Sequence, residues 1–281
     1  MKLSVSIVTF QERDYVRQAL ESVLAQRTDF AFEIVVGDDA SSDGTGEVLR
    51  EIAAREPGRV RLILHERNLG DFGLSNFMST VDACRGEYVA FLDGDDYWTD
   101  PDKLQRQVDF LDAHPGCALC AHRVVHVGDD GTRELSVMPR GGAGVHGVDR
   151  LLLENFAPKV STVARRSAIA GVPEWFRTTN VASADWLFNV LLGRSGEIGY
   201  LQEAMAVHRD RVGNLTSFYG TRRRLTDKLG ALDTLKPYFP RHRRAFADAA
   251  RKLRWQLRVA RLGPRTYALA RRWNKLEKVR H

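Results

Sequence analysis

Apolar and polar residues alternate over residues 3–9 (LSVSIVT), the period-two pattern of a β-strand. Over residues 14–26 the period lengthens: Tyr15, Val16, Ala19, Leu20, Val23 and Leu24 recur every three or four positions, which predicts an amphipathic helix. The same succession then repeats. A strand at 33–36 leads through the polar loop DDASSDGT to a helix at 46–55, RVRLILHE (59–66) predicts a third strand, and 74–84 predicts a third helix. EYVAFLDGDD (87–96) predicts a fourth strand, with Asp100 as N-cap and Pro101 as first residue of the helix that follows. Strands alternating with helices in this way predict an α/β fold with a mostly parallel sheet flanked by helices and right-handed crossovers. Ligands of such sheets bind beyond the carboxyl ends of the strands.

Those ends collect the polar residues: Thr9, Gln11 and Glu12 after the first strand, Asp38 and Asp39 after the second, Asp93, Asp95 and Asp96 after the fourth. Carboxylates so close together repel one another, so the DGDD turn is either open to water or built to hold a cation. Mg²⁺ and Mn²⁺ take hard oxygen ligands, commonly one or two carboxylates plus phosphate oxygens, and Gly94 between Asp93 and Asp95 lets backbone approach a ligand closely. A solvated loop whose aspartates cap the next helix is the competing account. Neither GxGxxG nor GxxxxGK[ST] occurs, which removes the main support for dehydrogenase and P-loop readings.

With 281 residues, 43% of them hydrophobic, the chain can bury a sizeable core. The start lacks the pattern of a signal peptide, and no apolar run reaches the roughly 18 residues of a spanning helix, so the expectation is a cytoplasmic protein, at most peripheral at a membrane. Cys84, Cys117 and Cys120 resemble no disulfide framework; CALCAHRVVHV reads as a strand, in which residues three apart face opposite sides, so these are expected as core cysteines. Charge is unevenly placed. Residues 241–281 carry 14 Lys and Arg against Asp248 and Glu277, whereas residues 1–240 carry 28 against 34, a net of −6.

Four ordered blocks, VSIVTFQERDYVRQALESVLAQ, FEIVVGDDASSDGT, NLG and GEYVAFLDGDDYWTDPDKLQRQVDFL, resemble the nucleotide-binding half of the family 2 inverting glycosyltransferases of the GT-A fold. The resemblance is close over residues 3–115 and looser to about residue 217. It implies a nucleotide-diphospho-sugar donor of UDP or dTDP type, with Thr9, Phe10, Glu12, Asp39, Asn68, Asp93 and Arg209 around it and Mn²⁺ or Mg²⁺ on Asp95. Asp39 would accept from the base N3–H, and Phe10 stands where relatives carry Tyr. Asp185, ahead of the apolar stretch 186–192, looks like the family's catalytic base; a plain helix cap predicts the same local sequence. In MAVHRDRVGNLTS, His208 and Arg209 replace the usual Tyr-Arg, and Arg211 stands where a metal-binding His is common. His208 is then the candidate third metal ligand, and Arg209 and Arg211 are candidates for the diphosphate. Ser161 and Thr162 are weak candidates for sugar contacts, and Trp175, Phe176 and Trp186 for sugar stacking.

The tail 242–262 sets Phe246, Ala249, Ala250, Leu253, Leu257 and Ala260 on one helical stripe with arginines elsewhere, and 266–279 predicts a second basic helix after Gly263-Pro264. An anionic membrane surface, an acidic carrier protein or the enzyme's own acidic body could meet it; nucleic acid is disfavoured because no recognised binding module accompanies the charge. The expected organisation is a nucleotide-sugar half (1–115), an acceptor and catalytic half of the same domain (116–217), and a basic helical extension (218–281). The acceptor stays open among lipid-linked, carrier-bound and small-molecule classes. Two other functions compete: a haloacid-dehalogenase-like phosphohydrolase, whose paired aspartates FLDGDD mimics although they sit unusually late in the chain, and a nucleotide-sugar-binding protein without catalysis.

Overall fold

The structure, a computed structural model, describes residues 1–211 and 215–261, without the side chains of 215–219. The first units follow the periodicity closely: β1 (Leu3–Thr9), α1 (Arg13–Leu24), β2 (Phe32–Asp38), α2 (Thr45–Arg55), β3 (Val60–Leu64), α3 (Leu74–Ala83) and β4 (Tyr88–Asp93). These strands are parallel in the order β3-β2-β1-β4, with Thr9 beside Asp38 and Val8 beside Asp93, so one rim gathers all their carboxyl ends. After β5 (Tyr97–Trp98) and α4 (Lys103–Ala113) come the long β6 (Cys117–Gly128), β7 (Arg133–Leu135), β8 (Gly144–His146), α5 (Val148–Leu153), β9 (Val163–Arg165), α6 (Arg166–Ile169), α7 (Ala184–Leu192) and β10 (Glu197–Asp210). β9 enters antiparallel between β4 and β6, and β10 runs parallel to β6, which makes one mostly parallel sheet of ten strands. α8 (Leu215–Leu235), broken at Gly220, and α9 (Arg243–Ala260) close the described chain; the helix expected at 266–279 lies outside the described residues.

Both faces of the sheet are covered. Along β4, Tyr88, Ala90 and Leu92 face one core with α1, α2 and α4, while Val89 and Phe91 face the other with α3, α7, α8 and α9. The alternation in β1 therefore does not leave a wet face. Ser4 and Ser6 are buried and satisfied, Ser4 Oγ donating to Glu33 Oε1 at 2.7 Å and Ser6 Oγ sharing a 2.7 Å hydrogen bond with Thr80 Oγ1.

Two local expectations are corrected. α4 starts at Lys103: Asp100 Oδ1 accepts from Asp102 N at 2.8 Å in a turn ahead of the helix, and the amide of Leu104 is capped by Gln26 Oε1 from the end of α1 at 3.0 Å. Cys117 and Cys120 share a core face, because the β6–β10 register slips between Glu197 and Ile198, inserting Ala118 as an extra residue. All three cysteines are buried and free, and burial pushes the Cys84 and Cys120 thiols up to about 12, which leaves them inert.

Candidate functional site

The site is assembled by one short pairing. β5, which directly follows the DGDD turn, hydrogen-bonds antiparallel to β10, with Trp98 opposite Ala206 and Tyr97 opposite Val207. That register sets residues 208–211 on the aspartates although more than a hundred residues separate them. Asp96 is wholly buried, with Oδ2 bonded to His208 Nδ1 at 2.8 Å and Oδ1 accepting the Arg209 amide at 2.9 Å. It is a brace, not a ligand facing the cleft. Asp95 Oδ2 accepts from Arg211 Nε at 3.0 Å and Nη2 at 2.7 Å. Arg209 donates to the Asp95 carbonyl and to Gln18 Oε1, and its guanidinium lies 4.6 Å from the Tyr97 ring centre. Asp93 pairs with Lys159, whose charge is held above the usual lysine value against the opposing effect of burial, by Asp93 first and then by Asp185 and Asp96. Lys159 thus lies in the fields of both the acidic turn and the start of α7.

Glu12 joins the cluster from the N-cap of α1, just beyond β1. Thr9 Oγ1 donates to Glu12 Oε2 at 2.8 Å, and Arg211 Nη2 reaches Glu12 Oε1 at 3.4 Å. Burial, then repulsion from Asp95, holds the Glu12 carboxyl well above its ordinary value; burial followed by Asp96 and Asp93 raises Asp95 to about 6. Burial raises Asp93 too, with Lys159 opposing. Gly94 donates its amide to the Val8 carbonyl at 2.8 Å, and a Cβ there would stand 2.4 Å from Glu12 Oε2 and 2.7 Å from Thr9 Oγ1. Glycine lets the turn press against β1.

At the other side of the rim, Asp39 N donates to the Thr9 carbonyl at 3.1 Å, while its carboxylate accepts from Leu69 N at 2.9 Å and Asn68 Nδ2 at 3.1 Å. The NLG segment is tied to β2 by this residue. An ionised carboxylate has about four lone-pair positions, so it can accept a further donor. Asp38 accepts from Ser41 and braces the loop. Phe10 is 45% exposed and Phe72, beyond Asn68, 43%. Gln11, Ala40 and Phe72 all adopt left-handed backbone, with φ of 56°, 59° and 58°. Non-glycine residues seldom do so, and three on one rim mark a loop geometry held by its surroundings.

Asp185 lies exposed in the first turn of α7. The helix N-cap is Ser183, two residues earlier, and no side-chain cap bond forms, so the reading of Asp185 as a plain cap is set aside. Ser161 and Thr162 are buried and donate to the Pro158 carbonyl; Trp186 and Phe176 are core, and Trp175 Nε1 donates to Tyr238 Oη at 2.8 Å, so none is placed as a sugar platform. Lys159 went unrecognised in the sequence. A lysine after proline carries no periodic signal, and only the fold sets it beside Asp93.

A divalent cation fits the chemistry of the turn. Asp93 and Asp95 offer hard oxygens, crowding favours a positive charge between them, and Arg211 stands in for that charge at Asp95. His208 falls elsewhere. Its Nε2 is 3.6 Å from Asp210 Oδ1, and together with His126 these form a group whose ligand atoms lie within 4.8 Å of one another, without Asp95. Asp96, then Asp210 and Asp95, raise His208 to about 10 against burial, so its ring holds a proton that any metal would have to displace.

Residues 4–170 match the family model described as Glycosyl transferase family 2. An uncharacterized protein of Mycobacterium tuberculosis is 36% identical over 263 residues, spanning 91% of this chain and 74% of that protein. Among solved structures, S. aureus TarS 1–349 in complex with UDP-GlcNAc superposes with a TM-score of 0.68 at 21% identity, over 86% of this chain and 67% of that one. The mannosyltransferase PcManGT from Pyrobaculum calidifontis, in complex with GDP-Man and Mn²⁺, gives 0.63 at 17% identity, over 98% and 80%. The sheet and its flanking helices are those of the GT-A fold.

Proposed function

Because the chain belongs to glycosyl transferase family 2, we propose that it moves a sugar from a UDP- or dTDP-type donor to an acceptor hydroxyl or similar nucleophile, with inversion at the anomeric carbon. One observation carries this reading: a continuous set of contacts runs from Asp39 through Thr9, Glu12, Arg211 and Asp95, and the acidic turn meets Lys159, which also lies in the field of Asp185. We read the acidic groups of the three strand ends, with Asp185 in the first turn of α7, as serving one site.

In this reading the exposed ring of Phe10 stacks on the base, Asp39 accepts from its N3–H, and Thr9, Glu12 and Asn68 fix the loops around it. Asp93 faces the ribose or sugar. Asp185 takes the proton of the acceptor hydroxyl as its oxygen bonds to the anomeric carbon and the bond to the diphosphate breaks. Arg209 and Arg211 meet the negative charge of the leaving group. Mn²⁺ or Mg²⁺ held through Asp95, beside Asp93, would supply Lewis-acid neutralisation of that diphosphate; His208, whose Nδ1 faces Asp96, would ligate only through Nε2, after that nitrogen gives up its proton.

A nucleotide-sugar panel with Mn²⁺ tests the proposal. One donor should raise the unfolding temperature and turn over. Asp95→Asn should abolish metal-dependent donor binding, whereas Asp185→Asn should keep binding and lose turnover by roughly 100- to 10,000-fold. Full turnover in both variants, or phosphate release from a simple phosphomonoester that is lost on Asp93→Asn, sinks the assignment.

A further inference from the structure

α9 buries Ala245, Phe246, Ala249, Ala250 and Leu253 against the core shared with α5 and α8. At about 100° per residue, the opposite side sets Arg243, Arg254, Arg258, Arg251, Arg244 and Trp255 within an arc of about 120°. All six are exposed, Trp255 by 42%. The helix carries a single carboxylate, Asp248, which lies at the arc's edge and is held by Arg251 at 2.7 Å. The apolar stripe read from the sequence thus docks the helix to the body, and the arginines are left facing outward.

Beside this arc lies a groove whose floor is Pro237, Phe239, Pro240 and Phe246, flanked by Lys236, Arg243 and Arg254. Cations bordering apolar surface, with an indole at the edge, suit an amphiphilic partner: phosphates meet the guanidinium groups while the indole and the groove take the boundary between headgroup and acyl chain. An acidic polypeptide or a nucleic acid would satisfy the charge and leave the apolar floor uncovered. The chain's own residues 262–281 are a poor occupant, since they carry six Lys and Arg against Glu277 and share the sign of the face. No described helix is long and apolar enough to cross a membrane, so the contact is one of lying on the surface.

We propose that the outer face of α9, with Trp255 and the adjoining groove, docks this protein onto an anionic lipid bilayer. The body, at net −6, is repelled by such a surface, which orients the molecule with α9 toward it.

Sedimentation of the full chain with vesicles of phosphatidylcholine, with and without phosphatidylglycerol, tests this without donor or acceptor, so the outcome is independent of glycosyl transfer. Binding is expected to the anionic vesicles alone and to fall at least about tenfold between about 0.1 and 0.5 M salt. The triple variant Arg251→Glu, Arg254→Glu, Arg258→Glu should lose about 100-fold or more of the partitioning, and Trp255→Ala a smaller share, both with unfolding temperature unchanged. Should the triple variant fail to fold, Arg254→Gln with Arg258→Gln reads the same loss more weakly. Equal binding to neutral vesicles, undiminished binding by the charge variants, or displacement from vesicles by polyglutamate or an RNA oligonucleotide at matched charge overturns the proposal.

Discussion

Arg211 donates twice to the Asp95 carboxylate that the proposed divalent ion would use, so guanidinium and metal would compete for one group. Removing the guanidinium takes away the cation paired directly with both the Asp95 and Glu12 carboxylates. Arg211→Ala should therefore bind Mn²⁺ more tightly than the parent when no donor is present, roughly tenfold for the loss of one cation at hydrogen-bond distance. If Arg211 also meets the diphosphate, the same variant should raise KM for the donor. Titration of free Mn²⁺ and donor kinetics report the two effects separately, and unchanged metal affinity would mean that Arg211 is displaced from Asp95 without cost. Asp96 behaves differently: wholly buried and bonded to both the His208 ring and the Arg209 amide, it holds β10 on the acidic turn rather than offering oxygens to the cleft.

α4 shows how an element can bury charge for packing alone. Lys103 is fully buried, with Nζ donating to Gln107 Oε1 at 2.8 Å and lying 4.0 Å from the Trp98 ring centre, and burial lowers it from 10.5 to about 7. Between those values the unfolded chain holds a proton that the folded one lacks, so this lysine adds stability as pH rises from about 7 to 10.5 and withdraws it on the way down. His208, raised to about 10, acts in the opposite sense over much of that range. Comparison with Lys103→Met isolates the lysine, because His208 is common to both. The variant should be the more stable near neutrality, and the gap should shrink by up to about 1.4 kcal/mol per pH unit toward pH 10, as read by urea unfolding. A gap independent of pH would show that Lys103 keeps its proton in the core. The elements up to α4 are legible because periodicity is local: the strand expected at 87–96 exceeds β4 by one residue at its start and three at its end, and the cap of α4 lies two residues later than expected, with Gln26, just past the end of α1, capping Leu104. What escaped depends on pairing across the chain. The extra residue at Ala118 puts Cys117 and Cys120 on one face, Ser4 and Ser6 are buried under α3, and Lys159 meets Asp93 only because β9 enters between β4 and β6.

Neither half of the body owns a core. One cluster joins Val35, Val89 and Phe91 to Trp186, Phe188, Tyr200 and Phe246, and the other joins Leu3, Ile34 and Leu104 to Cys120, Val163 and Ala206. Residues 1–115 on their own would expose the edge of β4 and lose α5, α7, α8 and α9 from the first cluster, and the β6, β9 and β10 residues from the second, so separate folding of the halves is unfavourable. The proposed donor rim, by contrast, is built chiefly from strand ends within the first half, closed over by β10 and Lys159 from the second. Ligand at that rim should therefore stabilise the entire sheet. Calorimetry should show a single main transition, and UDP with Mn²⁺ should move all of it upward, by about 2.7 kcal/mol in stability at a hundredfold excess over Kd. Two resolved transitions of which only one responds would mean that the shared clusters fail to couple the halves. In that event closure of the site would become a docking step between two independently folded parts, and the Lys159 pairing with Asp93 would form only on docking.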